Sequence, residues 1–307
     1  MSIVANRPTT QYVYDYAKLD RVPDGPTSAK VTPRRYLSGD TLETAKSSTI
    51  GAGLFGEHII MALVGQACGS GSKAHTHPNE QFNYILAGTM LADIDGDRIF
   101  ARAGTLQHTP TGVIHTGVAC PDEDLVFLAM KDTRHGVTGP PVDGKHDGPL
   151  YLPGFGKRAA ERRLSTAETI AESARTLPAP RRTYIYAIGD LSSAPAGVCS
   201  ASVGPRAATA ALPGGTATLV SGEVLHVAFV RLPRGVSGRR HSHGSEQFTF
   251  VLQGTIEVEL DGVVHRVPER NAMHIPAGAQ HRVVGAIDAD ASCIIVKNKS
   301  YGIEPRY

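Results

Sequence analysis

Two short segments of this chain carry the residue types of a metal site. His75 and His77 stand two apart, Gln81 follows four residues on, and His115 arrives after the turn Pro110-Thr111-Gly112. The set recurs in the same order as His241, His243, Gln247 and His281. On a strand, residues two apart point to one face, so each HxH pair aims two imidazoles at one point. A third imidazole and an amide oxygen complete a donor set suited to a divalent ion of the Fe, Ni, Cu or Zn kind. The Pro78-Asn79 bend interrupts the parity argument beyond His77. Glu80 and Glu246, one residue before the glutamines, therefore stand as alternative fourth ligands reached by a register shift.

The two segments belong to a longer internal repeat. At the same offset that carries His75 onto His241, Gly56-Glu57 matches Gly222-Glu223, and Gly69 matches Gly235. Leu86, Gly88 and Thr89 match Leu252, Gly254 and Thr255, and Asp95-Gly96 matches Asp261-Gly262. His108, Pro110, Gly112 and His115 match His274, Pro276, Gly278 and His281. An ungapped match from Gly56 to His115 makes the chain two copies of one domain, with a period too long for a solenoid.

Each copy must build strands to position these side chains. GEHIIMALV at 56–64 and GEVLHVAFV at 222–230 are apolar strand runs behind a glycine. Asp95-Gly96 and Asp261-Gly262 sit between alternating runs, the signature of a tight hairpin. Many short strands with Gly and Pro turns give an all-β sandwich or barrel. The expected organisation is an irregular arm at 1–45 with one strand near 11–16, a first barrel at 46–135, a linker at 136–180 and a second barrel at 181–307. Ser165 and Glu168 have capping-box spacing and Thr176-Leu177-Pro178 ends the run, which predicts one linker helix over about 165–177.

Composition narrows the function classes. With 31 Lys plus Arg against 29 Asp plus Glu, the net charge is +2. That near-balance excludes a strongly basic nucleic-acid binder. The four cysteines form no CxxC pair, so neither a zinc knuckle nor a thioredoxin-like motif is present. The first residues lack the apolar core of a secretory signal, and no run reaches the roughly 18 apolar residues of a membrane span. The expectation is a cytoplasmic protein with reduced thiols, no nucleic-acid or membrane partner, and a homodimeric state.

The motifs resemble those of the cupin superfamily, G(X)5HXH(X)3–4E(X)6G and G(X)5PXG(X)2H(X)3N. Here Gly69, His75, His77, Gln81 and Gly88 fill the first, as do Gly235, His241, His243, Gln247 and Gly254. Gly104, Pro110, Gly112 and His115 fill the second in copy one, with Ala119 at the Asn position. Copy two has Arg270 for the opening Gly, then Pro276, Gly278 and His281, with Gly285 at the Asn position. The resemblance covers roughly 50–130 and 216–297. It implies a bicupin: two double-stranded β-helix (jelly-roll) barrels in tandem, each with a metal inside.

Gln replaces the Glu of the commonest cupins. Four neutral ligands would leave the ion its full charge and favour a chelating anion such as an enolate, catecholate or α-hydroxy acid. Lys73 and Arg239, each two before the first motif His, are candidate handles for a substrate carboxylate. His108 and His274 are candidate acid–base groups. Phe82, Tyr84, Phe248 and Phe250 are assigned to packing between sheets, and His58, His135, His146, His226 and His265, which have no repeat partner, to structure or surface. The leading expectation is a mononuclear non-haem dioxygenase with Fe2+ acting on a small phenolic or enolic acid, resembling ring-cleaving bicupins of the gentisate and quercetin types. With Zn2+, Ni2+ or Mn2+ the alternative is a non-redox isomerase, lyase or cyclase for a keto or hydroxy acid. The third reading is a non-catalytic binding cupin.

Overall fold

Period-two alternation sends the side chains of each long strand alternately into a barrel and out of it, and that choice organises the molecule. The computed structural model describes residues 10–21, 25–38, 40–134, 139–188 and 199–307, without the side chains of 205–209. His135 lies outside the described residues. Strand β1 (Val13–Asp15) belongs to the arm. The first half continues with β2 (Lys30–Tyr36), β3 (Ile50–Phe55), β4 (Ile59–Gln66), β5 (Ser70–His75), β6 (Gln81–Ala87), β7 (Thr89–Ile94), β8 (Asp97–Arg102), β9 (Thr105–Thr109), β10 (His115–Ala119) and β11 (Leu125–Asp132). Then come β12 (Leu150–Tyr151), helix α1 (Thr166–Thr176) and β13 (Ile185–Ala187). The second half holds β14 (Ser202–Thr209), β15 (Leu212–Ser221), β16 (Leu225–Leu232), β17 (Gln247–Gln253), β18 (Ile256–Leu260), β19 (Val263–Val267), β20 (Asn271–Ile275), β21 (His281–Ala286) and β22 (Ala291–Asn298).

Each barrel is a large sheet closed over a smaller one. In the first, β13-β9-β6-β11-β4-β3-β2 covers β12-β5-β10-β7-β8; in the second, β1-β20-β17-β22-β16-β15-β14 covers β19-β18-β21. The inner faces bury one apolar cluster apiece, around Ile85, Ile94 and Phe127 in the first and around Val251, Val258 and Ile275 in the second. The outer faces of the two large sheets meet in a third cluster, where Phe82, Met61 and Leu128 pack with Phe248, Phe250 and Val296. The expected aromatic packing between sheets is therefore the seam between barrels, with Tyr84 and Phe229 5.5 Å apart across it. Asp95-Gly96 and Asp261-Gly262 turn their hairpins with positive φ at all four residues, as a type I′ turn requires. The linker helix carries its capping box: Ser165 Oγ accepts from the Glu168 N–H, and Glu168 Oε2 accepts from the Ser165 N–H.

The sheets do not follow chain order. The arm strand β1 pairs with β20, Val13 opposite Met273, and so completes the second barrel. Conversely β13 pairs with β9, Ile185 opposite Gln107, and completes the first. Gln107 and Met273 are the same position of the repeat, so the two arms occupy equivalent seats, exchanged crosswise. Their inner contacts also match. The Tyr14 hydroxyl lies 3.0 Å from Ser28 Oγ, and the Tyr186 hydroxyl lies 3.1 Å from Ser200 Oγ. β2 precedes residue 46 and β13 follows residue 180, yet both lie in the first barrel's large sheet. Among the described residues, no helix is long and apolar enough to cross a membrane.

Candidate metal centres

Antiparallel pairing of β5 with β10 sets His75 directly opposite His115. His77 lies two residues on, so three imidazoles meet at one end of the first barrel's cavity. In the second barrel His241 and His281 exchange both backbone hydrogen bonds at 2.9 Å, and His243 completes the set. Within each triad one ligand atom per ring lies within 4.8 Å of the others, and all six residues are buried.

Backbone carbonyls fix the ring orientation. Nδ1 of His75, His77 and His115 donates to the carbonyls of Lys73, Asn79 and Val113 at 2.8–3.0 Å. Nδ1 of His241, His243 and His281 donates to Arg239, Ser245 and Ala279 at 2.6–2.9 Å. Each ring therefore keeps its Nε2 lone pair for the centre, which is how protein histidines are prepared for metals. Burial pushes the imidazoles down, to about 2 for His75, 3 for His77 and 4 for His115, with neighbouring charges adding to it. It holds His243 at about 4, His281 at about 3 and His241 below its ordinary value. Both triads are neutral at pH 7, the ligand form.

Two atoms in the second site call for a cation. His281 Nε2 is buried with no hydrogen-bond partner. Gln247 Oε1 lies 3.2 Å from His243 Nε2, so an amide oxygen faces a nitrogen whose only free orbital is a lone pair. A shared ion satisfies both. In the first site Gln81 gives its NH2 to Asn83 Oδ1 at 2.6 Å, Asn83 to Gln107 Oε1 at 2.6 Å, and Gln107 to Thr109 Oγ1 at 2.8 Å. This ladder commits the Gln81 amide nitrogen as a donor to Asn83 and leaves its oxygen as the group it offers. The donor sets thus fit a divalent ion in each barrel.

Glu80 and Glu246 lie on the opposite face of their strands, in the seam. Glu80 accepts from the N–H groups of Glu223, Val224 and Leu225 in the other barrel at 2.6–2.9 Å, and from His108 Nε2 at 2.9 Å. Glu246 accepts from the N–H groups of Glu57 and His58 at 2.9 and 2.7 Å, and from His274 Nε2 at 3.0 Å. The carboxylates reach these amides because Gly222 and Gly56 stand beside them; a Cβ there would collide with the Glu80 and Glu246 carboxyls. Burial would raise both acids, but the His partners and the backbone N–H groups outweigh it and hold them below the usual carboxylate range.

The same parity carries His108 and His274 away from the triads. Gln107 and Thr109 line the first cavity, while His108 between them stacks on Phe82 in the seam. His274 stacks on Phe248 in the same way. The structure therefore brings neither to the metal centres, where acid–base groups were expected. Nor does it bring Lys73 or Arg239 there. Lys73 Nζ is bound by Asp143 and Asp147, each at 2.7 Å, on the segment that follows the first barrel. The Arg239 guanidinium lies 6.0 Å from the Tyr307 ring centroid in the C-terminal tail.

Other cations take their place. Lys131 Nζ lies 3.1 Å from His77 Nε2, and its strand neighbour is Gln81. Lys297, the equivalent of Lys131 in the second copy, neighbours Gln247 in the same register. Lys46 lines the first cavity and donates to the Gly139 carbonyl. Burial pushes these ammoniums down, to about 7 for Lys131, where Lys46 adds, and to about 8 for Lys46 and Lys297. The repeat relation between Lys131 and Lys297 was the available signal, but it lies beyond the last motif histidine.

Comparison with known proteins agrees with this anatomy. The cupin-domain family model matches residues 63–131 and 228–297. No curated protein sequence matches the chain. Among solved structures, the chain is similar to a deletion variant of Bacillus subtilis oxalate decarboxylase OxdC, at 12% identity and a TM-score of 0.60, covering 94% of this chain and 77% of that one. It is similar to Lactobacillus farciminis oxalate decarboxylase in its formate complex, at 14% identity and a TM-score of 0.55, covering 96% and 88%. AerE from Microcystis aeruginosa gives 13% identity and a TM-score of 0.54, covering 82% and 92%. At these identities the likeness is one of fold. With a match to the cupin-domain model in each half and one His triad in each barrel, the chain carries two cupin domains in tandem.

Proposed function

We propose that the protein is a metal-dependent enzyme whose first barrel acts on a small phenolic or enolic acid, as a mononuclear non-haem dioxygenase with Fe2+. The observation that carries this reading is the charge of the first cavity. It encloses about 190 Å³ beside a neutral triad, and Lys46 and Lys131 line it with no carboxylate among its described lining residues. Such a pocket selects a small anion that chelates through oxygen.

A divalent ion held by His75, His77, His115 and Gln81 supplies Lewis acidity and, as iron, the capacity to activate O2. The chain's own residues do the rest. Lys46 and Lys131 bind the substrate's carboxylate and its ionised oxygen. The Gln81–Asn83–Gln107–Thr109 ladder fixes which amide atoms face the cavity. Val64, Met90 and Phe127 line the wall and keep water from the bound anion.

The structural neighbours named as oxalate decarboxylases act on a small dicarboxylic acid, which favours an anionic substrate and supports a second, non-redox reading: lyase, isomerase or cyclase chemistry on a keto or hydroxy acid with Zn2+, Ni2+ or Mn2+. Elemental mass spectrometry on untagged protein, followed by O2-uptake assays with dihydroxybenzoates, separates the two. Iron as the dominant metal, with O2 consumed in step with substrate, is the expected result. Turnover of keto or hydroxy acids in the absence of O2 would install the second reading, and binding without turnover would reduce the protein to a binding cupin.

A further inference from the structure

The second cavity differs from the first at equivalent positions. Gln66 and Thr109 line the first, and their repeat counterparts Leu232 and Ile275 line the second; Lys46 also lines the first, while Ala211 and Leu212 stand at the matching edge of the second. The second cavity is also larger, about 340 Å³. Most of its wall is aliphatic, including Leu219, Val230, Ile256, Val258 and Ile295. Its polar groups gather at the triad end, where Lys297 neighbours Gln247 in the sheet. Glu304 also lines the cavity, and its charge acts on Lys297. The C-terminal tail closes this end: Ser242 and Arg306 exchange both backbone hydrogen bonds at 2.8–2.9 Å, and Ile303 and Pro305 face the cavity.

We propose that the second barrel is a binding site for an amphiphilic monocarboxylic acid, its carboxylate seated beside Lys297 at the ion that the His241–His243–His281 triad would hold, and its hydrocarbon body along the aliphatic wall. Lys297 and Glu304 offset one another among the described lining residues, so the choice between ligands falls to the wall. The aliphatic wall returns free energy only when an apolar body replaces water there. A small polar dianion, the kind of ligand the first cavity selects, would leave that wall unfilled. The inference concerns a different cavity from the proposed reaction and does not depend on it.

Calorimetric titration of the full-length protein with sodium octanoate tests this, with succinate as the small dianion. The expected result is one saturable octanoate site per chain, a negative heat-capacity change from apolar burial, and no competition by succinate. Lys297→Met, which keeps the stem and removes the charge, should weaken octanoate by roughly tenfold. Ala228→Leu, which puts bulk into the cavity, should weaken it comparably. Lys46→Met in the first barrel should leave it unchanged. The proposal is overturned if octanoate gives no saturable heat, if succinate displaces it, or if Lys46→Met weakens binding as much as Lys297→Met does.

Discussion

At equivalent positions of the repeat, the two barrels keep the same triad, the same glutamine, the same lysine beside it and the same Glu–His pair in the seam, while two polar wall residues of one, Gln66 and Thr109, become aliphatic in the other. The retained set has two jobs. Part of it prepares a metal site, and part ties one barrel to the other. What differs faces the cavity. Within one molecule, then, the fold separates the residues that hold its parts in place from those that choose a ligand.

The largest effect should come from the seam. Glu80→Ala strands three backbone N–H groups and the His108 ring in a buried interface, and breaking such a buried pair costs about 3–5 kcal/mol. Glu246→Ala strands one amide fewer and should cost about 1 kcal/mol less. Urea unfolding of both variants checks this; a loss below about 1 kcal/mol in either, the weight of a single ordinary hydrogen bond, would mean that the seam does not depend on its clasps.

Next come the paired lysines. If the first barrel has the proposed activity, Lys131→Met should lower kcat/KM for its acid substrate roughly tenfold to a hundredfold, the weight of one charge-assisted hydrogen bond. Lys297→Met should leave that activity within about twofold, because its cavity is the other one. Equal losses from both variants would erase the functional distinction between the barrels.

An effect of pH rather than of substitution follows from the triads. Burial holds these imidazoles below their unfolded value of about 6.5, so on acidification the unfolded chain takes up protons first. Stability of the metal-stripped protein should therefore fall from about pH 6.5 downward, reaching its full loss only below the folded values of about 4 to 2. Glu80 and Glu246, held low by their partners, add a loss of the same sign below the ordinary carboxylate range. Thermal melts at pH 7 and pH 5 should show the drop, and zinc should raise both melting points. A flat profile between these pH values would contradict the neutral, buried triads.

The smallest effect concerns Arg270. It holds φ at 60°, where its counterpart Gly104 holds 83°. A side chain in that left-handed region costs roughly 1 kcal/mol, so Arg270→Gly should stabilise the protein by about that much in urea.

Much of this anatomy was legible in the residues themselves. The HxH spacing and the constant offset between copies exposed the triads, because a strand's period of two is a strong local rule. Parity also said that Glu80 faces away from Gln81. It could not say that another barrel's backbone lies there, so His108 and His274 read as acid–base groups when they are partners of a clasp. Lys73 has the right parity for the site, but Asp143 and Asp147, from beyond the end of the barrel, claim its ammonium. The arms escaped for a simpler reason. QYVYDY at 11–16 and TYIYAI at 183–188 are related by a wider offset than the one that superposes the triads, and an ungapped comparison at the triad offset passes over them.

Those exchanged arms have a consequence beyond packing. Equivalent arms seated crosswise on equivalent barrels, with reciprocal clasps between them, are the arrangement of a twofold-symmetric pair written into one chain. In a pair of identical chains, every substitution in a wall is made twice and both pockets change together. Here the crossing arms preserve the pairing while leaving each wall its own stretch of sequence. Leu232 can stand where the other copy keeps Gln66, and one half can alter what it holds without asking the other to follow.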